Sequence, residues 1–344
     1  MKQNKYYDKS EANTIKRSAI PAALMQIEGL ARFDSADAAS VFFARELDYI
    51  KRQAYETEYP DLMAFQLFPI DTEANPGAET ITYYVYDKEG IAKVIDNYST
   101  DLPRADANGR PETAYVKSIG VSYGYSAQEM RASRMADKHL DARKADSAHY
   151  QIDAMINRIA WAGDVEHRLL GILSTGQNVP TFNITAGAES GRTNWTEKTA
   201  DEILVDVTAM YSQVSRTTKG IERPDTLVLP TDVHTALSMK RVGDTPDTVL
   251  TFIQRNAPFL KKIEMAAELN GDSVETNPYA AAVNGQGVAL LYTNDSKKLA
   301  LHNPMAFLQY PVQVHNLETI VPCEARTAGM IIPYPMSALI AVGV

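Results

Sequence analysis

The chain has 344 residues, which at roughly 150 per domain allows about two domains and a sizeable buried core. Apolar residues make up 45% and charged residues 22%, with 18 Gly and 17 Pro, so neither a disordered nor a collagen-like chain fits. Lys and Arg number 34 against 43 Asp and Glu, a net charge of −9, which excludes the strongly basic footprint of a dedicated duplex-DNA reader.

Residues 1–19 run against that balance, because Lys2, Lys5, Lys9, Lys16 and Arg17 outnumber Asp8 and Glu11. An arm so poor in large apolar groups cannot bury enough surface to hold itself in place, so it reads as a tether that a neighbour must order. It also lacks the apolar run of roughly 7 to 15 residues that a secretory signal needs. Asp34 or Ser35 then caps a predicted helix through Tyr55, with Val41, Phe42, Leu47, Tyr49 and Ile50 as an imperfect stripe and Pro60 as its stop.

An extended excursion follows. Ile81 to Tyr86 (ITYYVY) is short and rich in β-branched and aromatic residues, which predicts a strand. From Tyr115 to Tyr125, Tyr115, Ile119, Val121, Tyr123 and Tyr125 alternate with Ser118, Gly120, Ser122 and Gly124, a period of two. The polar stretch between them, NYSTDLPRADANGRPE, holds nothing that anchors a core, so the simplest reading pairs the two strands as a hairpin with a long polar tip. Tyr83, Tyr84, Tyr86, Tyr98, Tyr115, Tyr123 and Tyr125 line the excursion. They either fill the wet side of a hairpin or serve an interface, where tyrosine is enriched.

Ser126 and Glu129 have capping-box spacing and open a run to Ala162 without Gly or Pro. A single helix over that run is about 55 Å long at ~1.5 Å per residue. Ile152, Met155, Ile156, Ile159 and Trp161 give its last third a buried stripe, whereas RMADKHLDARKAD is polar on nearly every face. Opposite charges three apart (Arg134 with Asp137, Lys138 with Asp141, Asp141 with Lys144, Arg143 with Asp146) support it at ~0.2–0.5 kcal/mol per pair. Such a middle section suits a rod on a surface or between neighbouring chains.

Beyond Gly163, GILSTGQNVPTFNITAGAESGRTNW reads as loops. TEKTADEILVDVTAMYSQV is a predicted helix with Ile203, Leu204, Val207 and Met210 on one side; TLVLP a buried strand; TDVHTALSM a capped helix; and DTVLTFIQRN another helix. Strands are predicted at GVALLY, KKLALH, VQVHNLETIVPCEAR and SALIAVGV, so the fold class is α+β with one dominating rod. The C-terminal MIIPYPMSALIAVGV is broken by Pro333 and Pro335 and is shorter than the ~20 residues of a membrane-spanning helix. The single cysteine, Cys323, forms no internal disulfide, which fits a cytoplasmic origin, and its strand-like setting after Pro322 fits core packing better than a reactive thiol.

The usual catalytic constellations are missing. There is no phosphate-cradling G-x-x-x-x-G-K-[ST]; Gly285 and Gly287 precede a strand instead of a helix; and Ser174 sits in a loop without a nucleophile elbow. His139, His149, His167, His234, His302 and His315 show no helical pair spacing, so neither a metal centre nor a cofactor is expected. Asp164, Glu166 and His167, just past the rod, form the best remaining cation or acid–base candidate, against a helix-end salt-bridge cluster.

Taken in order, the parts are a basic arm, a short helix, a hairpin with a polar tip, a very long helix, a glycine-rich loop, an α/β domain and return strands. This order resembles the tailed-bacteriophage major capsid protein of the Hong Kong 97 type, whose fold is shared with encapsulin shells. AWAGDVEHRLLGILSTG is similar to the family's passage after its spine helix, and TAGMIIPYPMSALIAVGV to its closing strand. FFARELDYIKRQAYETEYPDLMAFQLFPI resembles the opening of one phage capsid subgroup. The resemblance covers nearly the whole chain and rests on the order of elements more than on an invariant motif.

It implies a Hong Kong 97-like α+β fold with an N-arm (1–33), an N-terminal helix leading into the peripheral domain (34–71), an E-loop hairpin (72–125), and a spine helix with its following loop (126–194). An axial domain (195–305), peripheral return strands (306–328) and the axial closing strand (329–344) complete it. The implied function is a non-enzymatic shell protein that self-assembles into hexamers and pentamers of an icosahedral head around double-stranded DNA. Its implied partners are copies of itself, separate scaffolding, portal and decoration proteins, and DNA contacted non-specifically, with no membrane; its place is the virion, after assembly in the host cytoplasm. The subunit-interface candidates are Lys5, Lys9, Lys16, Arg17, Tyr98, Asp101, Arg104, Arg110, Glu112, Arg134, Lys138, Asp141 and Arg143.

Some members carry a scaffolding segment of about a hundred residues before the arm; with only some 33 residues before the first predicted helix, scaffolding is expected to be separate or unnecessary. Between Asp96 and Glu112 there are arginines but no lysine, so the lysine–asparagine crosslink of some members is not expected there. Two alternatives stay open: an encapsulin-like cargo compartment, and an oligomeric α/β enzyme with the long helix as a strut and a convergent polar pocket.

Overall fold

The computed structural model describes residues 59–94, 104–135, 140–280 and 286–344. The chain divides into compact units 1–59 and 60–344, and every element below belongs to the second. The basic arm and the helix predicted over 34–55 lie outside the described residues.

From Pro60 the chain makes a one-turn helix, α1 (Ala64–Leu67), which buries Ala64 and Leu67, and a short strand, β1 (Ile70–Asp71). It then leaves the body as a ribbon of β2 (Thr80–Glu89) and β3 (Asp106–Tyr115), paired antiparallel from Thr80↔Tyr115 to Glu89↔Asp106. One residue, the buried Val116, separates β3 from β4 (Lys117–Ser126).

This pairing corrects the expected hairpin. Residues 115–125 were expected opposite 81–86, but β4 lies along β12 (Glu318–Thr327) over its full length, from Glu318↔Ser126 to Thr327↔Lys117. The physical reason is burial. Ile119, Val121 and Tyr123 of β4 pack with the buried Val321, Cys323 and Ala325 of β12 in one core, whereas the polar sequence DANGRPETAY packs only Ala114 at the root and otherwise pairs through its backbone and exposed polar contacts.

The capping box after β4 forms as predicted. The Glu129 amide donates to Ser126 Oγ at 3.1 Å, and the Ser126 amide donates to Glu129 Oε2 at 3.0 Å. It opens α2 (Ala127–Met135); α3 (Leu140–Trp161) follows, with 136–139 outside the described residues. Ile152, Ile156, Ile159 and Trp161 are buried on α3, and Met155 is half-buried. After α3, Gly163 (φ 77°) reverses the chain, and Gly171 lies so close to it that a Cβ there would stand 2.4 Å from Gly163 N and 2.5 Å from Trp161 O.

The remaining elements are β5 (Thr181–Asn183), α4 (Ala200–Thr217), β6 (Thr226–Pro230), α5 (Thr231–Met239), α6 (Val249–Asn256), β7 (Lys262–Ala266), β8 (Val288–Tyr292) and β9 (Ala300–His302). They continue with β10 (Met305–Gln309), β11 (Gln313–His315), β12, β13 (Gly329–Ile331) and β14 (Ala338–Val342). β5, β14, β8, β6 and β7 form a five-stranded mixed sheet in that order. Its central strands are buried throughout because both faces are covered. Along β8, Val288, Leu290 and Tyr292 face the core shared with α3, while Ala289 and Leu291 face a second core with α4, α5 and α6.

β12 is the long strand of a second sheet, with β4 on one flank and β10 and β11 on the other; β1, β9 and β13 make a third. The run predicted as one strand over 312–326 turns at Asn316 (φ 57°) into β11 and β12. The helix TDVHTALSM forms, but its cap is not local: Thr231 N donates to Asn270 Oδ1 at 2.9 Å. α4 carries its own capping box between Thr199 and Glu202.

Candidate assembly surfaces

The ribbon is fixed only at its root. Ile81, Tyr83 and Ala114 pack on Val116, Ala328 and Ile331. Arg168, in left-handed backbone (φ 58°), donates from Nη1 to Tyr115 Oη at 3.3 Å and sets its guanidinium 5.5 Å from the centre of that ring. Tyr83 Oη donates to Glu112 Oε2 at 2.9 Å across the strands, and burial together with this carboxylate pushes the Tyr83 hydroxyl well above its ordinary range. A groove of about 840 Å³ lies beside the root, lined by Tyr83, Tyr115, Arg168, Leu170, Tyr279 and Pro333 among others.

Beyond that root, nothing among the described residues packs over the ribbon. Every described residue from Tyr86 to Val94 and from Arg104 to Thr113 is exposed. Tyr84 and Tyr86, 62% and 69% exposed, stack with ring centres 6.3 Å apart. Gly109 lies opposite Tyr86, and a Cβ on it would meet the Tyr86 ring at 2.7 Å, so the missing side chain lets the ring lie across the ribbon.

The N-terminal part of the spine is tied to the sheet of β4 and β12. Lys144 Nζ donates to Gly124 O at 2.7 Å and pairs with Glu129 Oε2 at 3.3 Å. The Ser126 amide, aided by Lys144, holds the Glu129 carboxyl below its usual range. Further along α3, His149 sits 3.1 Å from Asp153 and edge-on to Phe307 at 4.5 Å.

The sites with possible chemistry are closed structurally. Asp164 accepts from the Glu166 amide (3.0 Å), the His167 amide (3.4 Å) and His167 Nδ1 (2.7 Å), and the His167 contact lowers its carboxyl. It is a helix-end salt-bridge turn. Ser174 Oγ donates to Ala162 O and accepts from Gly171 N, fastening the same turn. Cys323 is buried, and burial raises its thiol. Among the described residues no group of three His, Cys, Asp or Glu could hold a metal ion, and no helix is long and apolar enough to cross a membrane.

Of the interface candidates, Arg104, Arg110 and Glu112 lie exposed on the ribbon, and Arg143 is exposed on α3. Glu112 is already engaged by Tyr83, a cross-strand contact invisible without the register. Arg134 and Asp141 belong to α2 and α3, but their side chains lie outside the description, as do Lys5, Lys9, Lys16, Arg17, Tyr98, Asp101 and Lys138 altogether. Sequence reasoning missed the clasp of Arg168 on Tyr115 and the tie from Lys144 to Gly124, because neither spacing carries a local signal.

A long exposed ribbon, a spine helix on a four-stranded sheet and a separate five-stranded α/β layer define the Hong Kong 97-like capsid fold. A family model described as major capsid protein matches residues 90–344. The chain belongs to the major capsid protein family, and is a structural shell protein of the virion. No curated protein matches it by sequence. Among solved structures, the capsid of Myoviridae phage XM1 matches with a TM-score of 0.73 at 15% identity, covering 88% of this chain and 99% of that one. The capsid of the native GTA particle matches with a TM-score of 0.61 at 10% identity, covering 90% and 98%. The virus-like particle from Pyrococcus furiosus matches with a TM-score of 0.51 at 9% identity, covering 80% and 91%.

Proposed function

We propose that copies of this chain close into an icosahedral head of hexamers and pentamers around double-stranded DNA, contacting the DNA non-specifically. The supporting observation is the bare ribbon: two strands of ten residues, about 34 Å at ~3.4 Å per residue, exposed everywhere beyond the root. A two-stranded ribbon is marginal alone in water and gains stability by lying on another surface. The ribbon around 87–112 therefore reaches over an adjacent subunit, residues 2–18 strap another, and the spine of 126–162 stiffens the tile. Arg104, Arg110 and Arg143 are its interface charges, together with Lys5, Lys9, Lys16, Arg17, Tyr98, Asp101, Glu112, Arg134, Lys138 and Asp141.

The domain division follows the same reading: N-arm 1–33, peripheral segments 34–71, 126–194 and 306–328, E-loop 72–125, and axial segments 195–305 and 329–344. Separate scaffolding, portal and decoration proteins join the shell, which forms in the host cytoplasm and needs no covalent chemistry from this chain. The similarity to a virus-like particle keeps a cargo compartment as a second reading.

Electron microscopy and sedimentation of the purified full-length chain test the proposal: hollow megadalton particles, or capsomers that convert to them, are expected. A small closed oligomer with enzymatic turnover would refute it. Nuclease-protected DNA inside particles separates the head from a compartment filled with protein.

A further inference from the structure

The sheet of β4 and β12 ends in an edge that lacks the usual protection. β10 and β11 share the outer flank of β12, and among the described residues no strand pairs with their far side. Residues 299–317 contain no Asp, Glu, Lys or Arg. Every residue from Leu308 to Glu318 is exposed, including Leu308, Tyr310, Val312, Val314 (75%) and Leu317. Soluble proteins guard such edges with charge, proline or a covering element; here Pro311 is the single guard between Leu308 and Leu317.

We propose that this edge is a contact between copies, in which β11 of one subunit lies antiparallel to β11 of a second and extends the sheet across a two-fold axis. The proposal rests on the shell reading and adds a specific surface to it. Charge decides the occupant. The ribbon strands carry Asp87, Lys88, Glu89, Asp106, Arg110 and Glu112, and pressing them on an edge without countercharge desolvates them for no return. A second copy of the same edge brings no formal charge. Identical patches can meet across a two-fold, each serving as the other's partner. Val312 and Val314 suit an extended, half-covered strand, and Pro311, which has no N–H, bounds the paired segment at Val312.

The test uses the full-length chain as wild type and as Val314→Lys, Val312→Cys, Val314→Cys and Tyr86→Cys. Assembly of the wild type reports on the shell reading by itself; the variants report on the edge. Val314→Lys is expected to keep the wild-type circular dichroism and lower the assembled fraction roughly tenfold. Oxidised assemblies of Val312→Cys or Val314→Cys are expected to yield disulfide-linked dimers, against little background from the buried Cys323. Absence of a dimer from both cysteine variants and from mixed assemblies of the two, which together cover the registers centred on Val312, Gln313 and Val314, overturns the proposal, whatever Val314→Lys does. A crosslink between Tyr86→Cys and Val314→Cys subunits in mixed assemblies also overturns it, giving the edge to the ribbon instead.

Discussion

Lys198 is a cation almost without solvent, its side chain 1% exposed, and it survives because its amine donates to Asp206 Oδ2 and Thr185 O, both at 2.6 Å. Trp195 Nε1 donates to the same carboxylate oxygen, and Lys240 Nζ crosses beneath to the carbonyls of Trp195, Thr196 and Lys198. Lys198→Met strands a buried carboxylate and should cost about 3–5 kcal/mol in chemical denaturation. Nearby, the Ser190 hydroxyl first, then the Thr199, Glu189 and Ser190 amides, hold the Glu202 carboxyl at about 2. That value lies below the unfolded one, so its stabilisation is complete above roughly pH 4.5 and is lost as pH falls toward 2. Stability profiles of wild type and Glu202→Gln should therefore differ at neutral pH and converge in acid. The burial of Lys198 and Asp206 has no local signal in the sequence, since it is a property of the packed loop around Trp195. Ile152, Ile156 and Trp161 were legible, because helical spacing alone dictates a shared face.

The spine shows what periodicity reads well and the ribbon what it does not. Ser126 and Glu129 announced the helix start, and the stripe on α3 announced its buried side; Ala154→Pro, inside α3, should cost about 3 kcal/mol or more in thermal melts by removing a helix hydrogen bond and clashing with the preceding turn. The ribbon's second strand escaped because DANGRPETAY lacks any apolar alternation, and a strand held mainly by its backbone and exposed polar contacts leaves no apolar pattern to read. Gly109→Ala should move the Tyr86 ring off the ribbon face, weakening assembly in sedimentation while leaving the melting temperature within error, since both residues are exposed. The cap on α5 was misread for a related reason: Asn270, which supplies it, is 39 residues away from Thr231.

At the scale of the molecule, order of parts was the strongest signal, and it needed no single motif. Removing residues 2–18 should leave 60–344 folded by circular dichroism yet reduce particle yield, a comparison to make by sedimentation at low and high salt, because screening weakens exposed ion pairs between subunits. The join at Val116 has a mechanical corollary. A pull on the ribbon reaches the body by two routes, through Val116 into β4, which holds ten pairs with β12, and back along residues 72–79 to β1, which pairs with β9 through two residues, so the load falls on one strong anchor and one weak one.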